Sequence, residues 1–184
     1  MTSEKLSAHN KSRNSVVLFG DGITSLGVIR GLRDLGVEIF MVSDTGKGIG
    51  KYSKYVNEVF VIHPTDSDYV VKVIDWIKAS LSEKPVLMVA GNDDALELLS
   101  KEHKLLCEFA VPTFPSWEVV NKVINKEFMY KIASIAGIPT IATQRINSLR
   151  ELEVYFQSDN NTSFPVFLKS SNSAKFSYKY EIGR

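Results

Sequence analysis

Cysteine is almost absent from this chain: Cys107 is the only one in 184 residues. A single thiol cannot close an internal disulfide. That excludes a disulfide-stapled mini-protein and points to a reducing, cytoplasmic setting. Cys107 sits in Leu105-Leu106-Cys107-Glu108-Phe109, where it is expected to act as a small packing residue. Histidine is nearly as scarce. His9, His63 and His103 are far apart and lack the spacing of a zinc site, so no metal ligands are expected among them. Charge of one sign is also missing: 22 Lys and Arg against 21 Asp and Glu leave a net charge of +1. Such a balance argues against coating nucleic acid or an anionic membrane as the main task. No apolar run approaches the roughly 20 residues of a spanning helix. Residues 1–14 are polar, have no hydrophobic stretch, and read as a flexible tail and not a signal peptide. What the chain does have is 44% hydrophobic and 23% charged residues, enough for an ordinary globular core.

Strand and helix signals alternate through the first two thirds. Ser15-Val16-Val17-Leu18-Phe19 is a continuous apolar run of the kind buried in parallel sheets. Val28, Ile29, Leu32 and Leu35 then share a helical face, and Gly36 stands where a left-handed cap is wanted. Residues 37–42 form a second strand, 44–53 a glycine-containing loop and 59–62 a third strand. From Asp66, Val70, Val73, Ile74, Ile77 and Leu81 make an apolar stripe opposite Asp68, Lys72, Asp75 and Lys78. Residues 85–90 predict a fourth strand, and Gly91-Asn92-Asp93-Asp94 a helix start with Ala95, Leu98 and Leu99 inward. The fold class is therefore α/β, a doubly wound parallel sheet over 15–115. Beyond Pro115 the texture changes. Helices are expected at 116–124, after Asn125 (with Phe128, Met129, Ile132, Ala133 and Ala136 on one side), and after Ser148, where Ser148-Leu149-Arg150-Glu151 has capping-box spacing. Gly137-Ile138-Pro139 ends the second of these, 140–146 is extended, and 164–169 is a strand.

Several motifs admit two readings. Gly20-Asp21-Gly22 with Gly27 could cradle a dinucleotide pyrophosphate, but the third glycine comes two residues late for that fingerprint. No Lys-Ser/Thr follows Gly27, so a P-loop fails. A tight turn, needing Gly22 or Gly27 for backbone geometry, is the other reading. Asp44 could hold a ribose hydroxyl or cap a loop. Asn92-Asp93-Asp94 could line a ligand crevice or cap a helix. Lys126 begins a helix, where a cation opposes the dipole. Lys169 ends an apolar run and leads into Ser170, Ser171, Asn172 and Ser173, a combination suited to phosphate.

Residues 125–143 (Asn-Lys-Glu-Phe-Met-Tyr-Lys-Ile-Ala-Ser-Ile-Ala-Gly-Ile-Pro-Thr-Ile-Ala-Thr) resemble the start of the ATP-grasp module, and Phe-Pro-Val-Phe-Leu-Lys169 resembles its Pro-Val-x-x-Lys strand. Lys54-Tyr55-Val56, residues 86–99 and the Lys-Ser-Ser-Asn-Ser-Ala-Lys-Phe stretch from Lys169 are similar to segments of the D-aspartate ligase-like and carbamoyl-phosphate synthetase large-chain groups. The resemblance implies a pre-ATP-grasp, Rossmann-like domain at 15–115 and a partial α+β first ATP-grasp subdomain at 116–184. It implies an ATP-dependent carboxylate–amine ligase acting on a small carboxylate and a small amine. Lys126, Lys169, Ser170, Ser171, Asn172 and Ser173 would contact ATP. The Mg2+ ligands would lie outside this chain, which would be a truncated portion, alone giving no turnover and only feeble ATP binding. A homodimer is compatible with this reading; a nucleic-acid or membrane partner is not expected. Two alternatives remain open at this level: a Rossmann-like nucleotide-binding module centred on Gly20–Gly27, and a non-catalytic remnant serving as an interaction domain.

Overall fold

The computed structural model describes residues 14–81, 85–158 and 164–169. The expected tail and the Ser170, Ser171, Asn172, Ser173 loop lie outside the described residues, apart from Asn14. The chain divides between Val120 and Asn121 into two compact units.

The first unit is an all-parallel sheet of five strands in the order β3-β2-β1-β4-β5. The strands are β1 (Ser15–Phe19), β2 (Glu38–Ser43), β3 (Val56–Val61), β4 (Val86–Ala90) and β5 (Val111–Pro112). β1 pairs with β2 from Ser15↔Glu38 to Phe19↔Val42, and with β4 from Ser15↔Val86 to Phe19↔Ala90. Its residues are buried on both faces, which is why the run is apolar without alternation. β3 starts earlier than the expected 59–62. Asn57 explains part of this: its Oδ1 accepts from the Ile39 amide at 2.9 Å, bridging a register shift between Ile39 and Phe40.

Helices cover both faces. α1 (Ile23–Leu32) lies over Leu18, Ile39 and Met41, with Ile29 fully buried and Val28 and Leu32 partly so. Leu35, expected on that face, is 67% exposed, because α1 ends at Leu32 and the chain turns through Gly36 at φ 67. On the other face, α2 (Tyr69–Leu81) and α3 (Asp93–Lys101) pack on Val17, Phe19, Phe40, Val42 and Met88. Val73, Ile74, Ile77 and Leu81 of α2 are buried and Val70 is packed beside them, as the 3.6-residue stripe requires. Tyr69 continues the same stripe, four residues before Val73, and is buried too. Trp76 stacks on Phe60 at 5.1 Å and donates its indole N–H to Glu58 at 2.8 Å. The short α4 (His103–Leu106) buries Leu106 and turns Cys107 outward. The packing role expected for Cys107 is thus corrected. One turn of helix offers a single inward position at this point, and Leu106 fills it.

α5 (Trp117–Ile124) spans the division between the units. In the second unit, α6 (Lys126–Ile135) is capped by Asn125, whose side chain accepts from the Phe128 amide, and it is followed by Gly137 at φ 73. α7 (Leu149–Gln157) is capped by Ser148, which accepts from the Glu151 amide at 3.1 Å. The reciprocal half of the capping box is displaced by one residue: Glu151 takes the Asn147 amide at 2.7 Å. Neither α6 nor α7 has a buried residue. Residues 164–169, expected to be a strand, carry no strand pairing and are exposed. An apolar segment becomes a strand only when a neighbour completes its ladder, and no described residue does so here.

Candidate functional sites

Parallel topology sends the carboxyl ends of β1, β2, β3 and β4 to one edge of the sheet, and there each strand delivers polar residues. Gly20-Asp21-Gly22 follows β1, and its backbone is fastened on both sides. The Gly20 amide donates to Val42 O at 2.8 Å, and Ser25 Oγ to Gly20 O at 2.7 Å. Asp21 is held by the loop after β2. Its Oδ2 accepts from the Gly48 amide at 2.9 Å and from Ser43 Oγ, and its carbonyl accepts from the Gly50 amide at 2.8 Å. Ser43 Oγ in turn accepts from the Gly46 amide at 2.8 Å, and Lys51 Nζ donates to Gly46 O.

This arrangement moves the demand for glycine away from the expected positions. Gly22 has φ −77, and a Cβ at Gly22 or Gly27 would meet nothing within 4 Å, so neither is needed for geometry. The tight positions are Gly20 (φ 95, with Asn92 Nδ2 2.6 Å from an added Cβ), Gly48 against Asp21, Gly50 against Met41 Cε and Asp21 O, and Gly91 against Ser25 and Phe19 O. Long-range packing, invisible in glycine spacing, sets these contacts. The turn also presents a carboxylate with the β2 loop bound to it, a poor cradle for a pyrophosphate.

Asp44 stands immediately after β2, half-buried, and accepts no hydrogen bond among the described residues. Burial pushes its carboxyl above the ordinary carboxylate range; the charges of Asp21 and Asp94 add to this, while His63 opposes it. Tyr69, at the start of α2, is only 5% exposed, and its hydroxyl has no hydrogen-bond partner among the described residues. Its pKa is driven well above the usual phenol value, first by burial and then by the charge of Asp44. Asn92 caps α3, its Oδ1 accepting from the Ala95 amide at 2.7 Å, so the capping reading of that residue holds. Asp94 accepts no hydrogen bond among the described residues and contributes charge to the edge. Sequence reasoning named Asp44 and Asp94 but missed Tyr69. Its signal was the i, i+4 step to Val73 and Ile77, which marks it as inward-facing.

The residues expected to contact ATP belong to the second unit. Lys126 is the first residue of α6 and is half-buried. Lys169 is exposed and makes no hydrogen bond or ion pair among the described residues, so its ammonium is available to an anion. Glu127, next to Lys126, pairs with Arg145 at 2.9 Å, and Arg145 Nε also donates to Asn147. A groove of about 750 Å3 runs along residues 144–146 and α7, lined among others by Arg145, Arg150 and Tyr155. No group of three His, Cys, Asp or Glu among the described residues could hold a metal ion, and no described helix is long and apolar enough to cross a membrane.

No family model matches the chain. A D-aspartate ligase from Enterococcus faecium is 26% identical over 130 residues, covering 68% of this chain and 31% of that protein. The L-amino acid ligase from Bacillus licheniformis superposes with a TM-score of 0.63 and 16% identity, over 89% of this chain and 37% of that one. An N5-carboxyaminoimidazole ribonucleotide synthetase, solved with ADP, gives a TM-score of 0.60 and 11% identity over 92% of this chain and 44% of that one. At such identities the two structures speak for the fold. The chain spans about a third of the length of the D-aspartate ligase it matches.

Proposed function

We propose that the chain is an N-terminal portion of an ATP-grasp superfamily protein, and on that premise part of an ATP-dependent carboxylate–amine ligase. The observation that carries this reading is the match to a D-aspartate ligase over 130 residues, joined to a fold shared with an L-amino acid ligase. Residues 15–115 are assigned to the pre-ATP-grasp domain and 116–184 to the first ATP-grasp subdomain. The reaction class is activation of a small carboxylate by ATP as an acyl phosphate, followed by capture with a small amine. A cytoplasmic location suits these substrates.

The residues of this chain serve phosphate binding. Lys169, exposed and unpaired among the described residues, supplies a point charge of the kind a phosphate needs. Lys126, placed at a helix start against the dipole, supplies a second. Ser170, Ser171, Asn172 and Ser173 offer short hydrogen-bond donors next to Lys169. Their contribution is charge neutralisation and positioning. The described residues lack a donor set for Mg2+, so no step is assigned to a metal held by them. The Rossmann-like alternative is disfavoured by the Asp21 carboxylate and the loop fastened to it at the glycine turn.

Calorimetric titration with Mg-ATP tests the assignment. A charge-assisted hydrogen bond contributes about 1.5–3 kcal/mol, so Lys169→Ala should weaken binding by about 10- to 100-fold. Binding of equal strength in Lys126→Ala, Lys169→Ala and the parent would remove both lysines from the site.

A further inference from the structure

Gly46, Gly48 and Gly50 alternate through the loop between β2 and β3 and play no part in phosphate binding. Their surroundings give them a different role. The loop leaves β2 at Ser43 and makes one 3-10 turn at Ile49–Tyr52 before it enters β3. On the way it closes on Asp21, in the turn after β1. Asp21 Oδ2 accepts from Ser43 Oγ and from the Gly48 amide at 2.9 Å, and the Asp21 carbonyl accepts from the Gly50 amide at 2.8 Å. A Cβ at Gly48 would run into the Asp21 side chain, and one at Gly50 would lie 3.1 Å from the Asp21 carbonyl oxygen. Gly46, at φ 65, brings its own amide to Ser43 Oγ at 2.8 Å. The three glycines thus let the backbone close on one carboxylate and on the hydroxyl bound to it.

The two sides of this contact differ in firmness. Ser43 is fully buried at the last position of β2, a fixed point in the sheet. The loop beyond it exposes its large apolar side chains, Ile49 at 49% and Tyr52 at 75%, so they do not anchor it in the core. Lys51 Nζ donates to Gly46 O and the Ser53 amide to Gly50 O, which gives the loop internal bonds of its own. A segment of this kind, internally bonded and poor in buried apolar side chains, opens more readily than the core beneath it. Its tie to β1 is charge-assisted, through the Asp21 carboxylate.

We propose that residues 44–53 form a strap latched shut by the Asp21 carboxylate, an autoinhibitory contact at the carboxyl end of β1. With the latch closed, the Gly48 amide and the Ser43 hydroxyl are already taken by an internal anion. With the Asp21 carboxylate removed, the strap opens as a unit, and the same two donors receive a small external carboxylate in its place. This device does not depend on the ligase reading.

The test is limited trypsin digestion of the 184-residue chain, read by mass spectrometry at Lys47 and Lys51 in the strap. Arg30 in α1 and Lys78 in α2 serve as reference sites that report unfolding of the core. Asp21→Ala should speed cleavage at Lys47 and Lys51 at least tenfold and change the reference sites less than twofold. Sodium formate should restore protection of Asp21→Ala saturably, and sodium chloride should not; neither should alter the parent. Asp21→Asn, which keeps an acceptor oxygen for the Gly48 amide, should be intermediate. A second measurement needs no variant: hydrogen exchange of the parent should give Gly46, Gly48 and Gly50 amides one common protection factor, at least tenfold below those of Leu18 and Met41 in the sheet. Unchanged cleavage at Lys47 and Lys51 in Asp21→Ala would overturn the proposal, as would parallel cleavage at all four sites or equal protection by chloride. Exchange of the three glycine amides as slow as that of the sheet would overturn it too.

Discussion

Replacing Gly20 and Gly27 by alanine should move stability in opposite directions. Gly20 has φ 95, a region that costs an L-residue about 1–2 kcal/mol. The new Cβ would also fall 2.6 Å from Asn92 Nδ2. That amide could swing away, but Asn92 Oδ1 caps α3 through the Ala95 amide, and losing a cap costs about 1 kcal/mol. Gly20→Ala should therefore destabilise the first unit by about 2–3 kcal/mol. At about 4 °C per kcal/mol for a unit of this size, its midpoint should fall by roughly 8–12 °C. Gly27 lies inside α1 and is exposed, with nothing within 4 Å of an added Cβ. There alanine should raise stability by about 0.5–1 kcal/mol. Tryptophan fluorescence during thermal unfolding is the assay, since both tryptophans, Trp76 and Trp117, precede the division at Val120. If Gly27→Ala proved as damaging as Gly20→Ala, the glycine turn would be used in a way this packing does not contain.

Two further outcomes are expected. Asp44 has a carboxyl whose pKa is raised in the folded state by burial and by Asp21 and Asp94, against the opposing His63, so the folded chain holds that proton more tightly than the unfolded one. Stability contributed by this group is present below the ordinary pKa of 3.8 and is lost as pH rises through the higher folded value. Asp44→Asn should accordingly be more stable than the parent at pH 7, with the advantage disappearing in urea titrations below the ordinary carboxylate pKa. Ser148→Ala should cost α7 about 1 kcal/mol by removing its cap, seen as lost far-UV helical signal with the tryptophan transition unchanged.

The local grammar of the chain was legible where each residue's partner lies within a few positions. The stripe from Val70 to Leu81, the caps at Asn125 and Ser148, and the alternation that forces a parallel sheet all follow from backbone periodicity and short-range hydrogen bonding. Other features depended on which distant segments meet. Gly20 became the tight glycine because β1 and β4 are neighbours and bring Asn92 over it; Gly22 and Gly27, which the motif spacing favoured, face open space. Cys107 faces outward because Leu106 takes the one inward position of α4. Residues 164–169 have strand-like composition, yet a strand exists only through its neighbour. Asp44 and Tyr69 are ordinary in sequence, one a loop acid and one a helix aromatic. A parallel sheet carries every strand's carboxyl end, and the start of every crossover helix, to the same edge. Only that convergence brings the charge of a half-buried carboxylate to bear on a buried phenol.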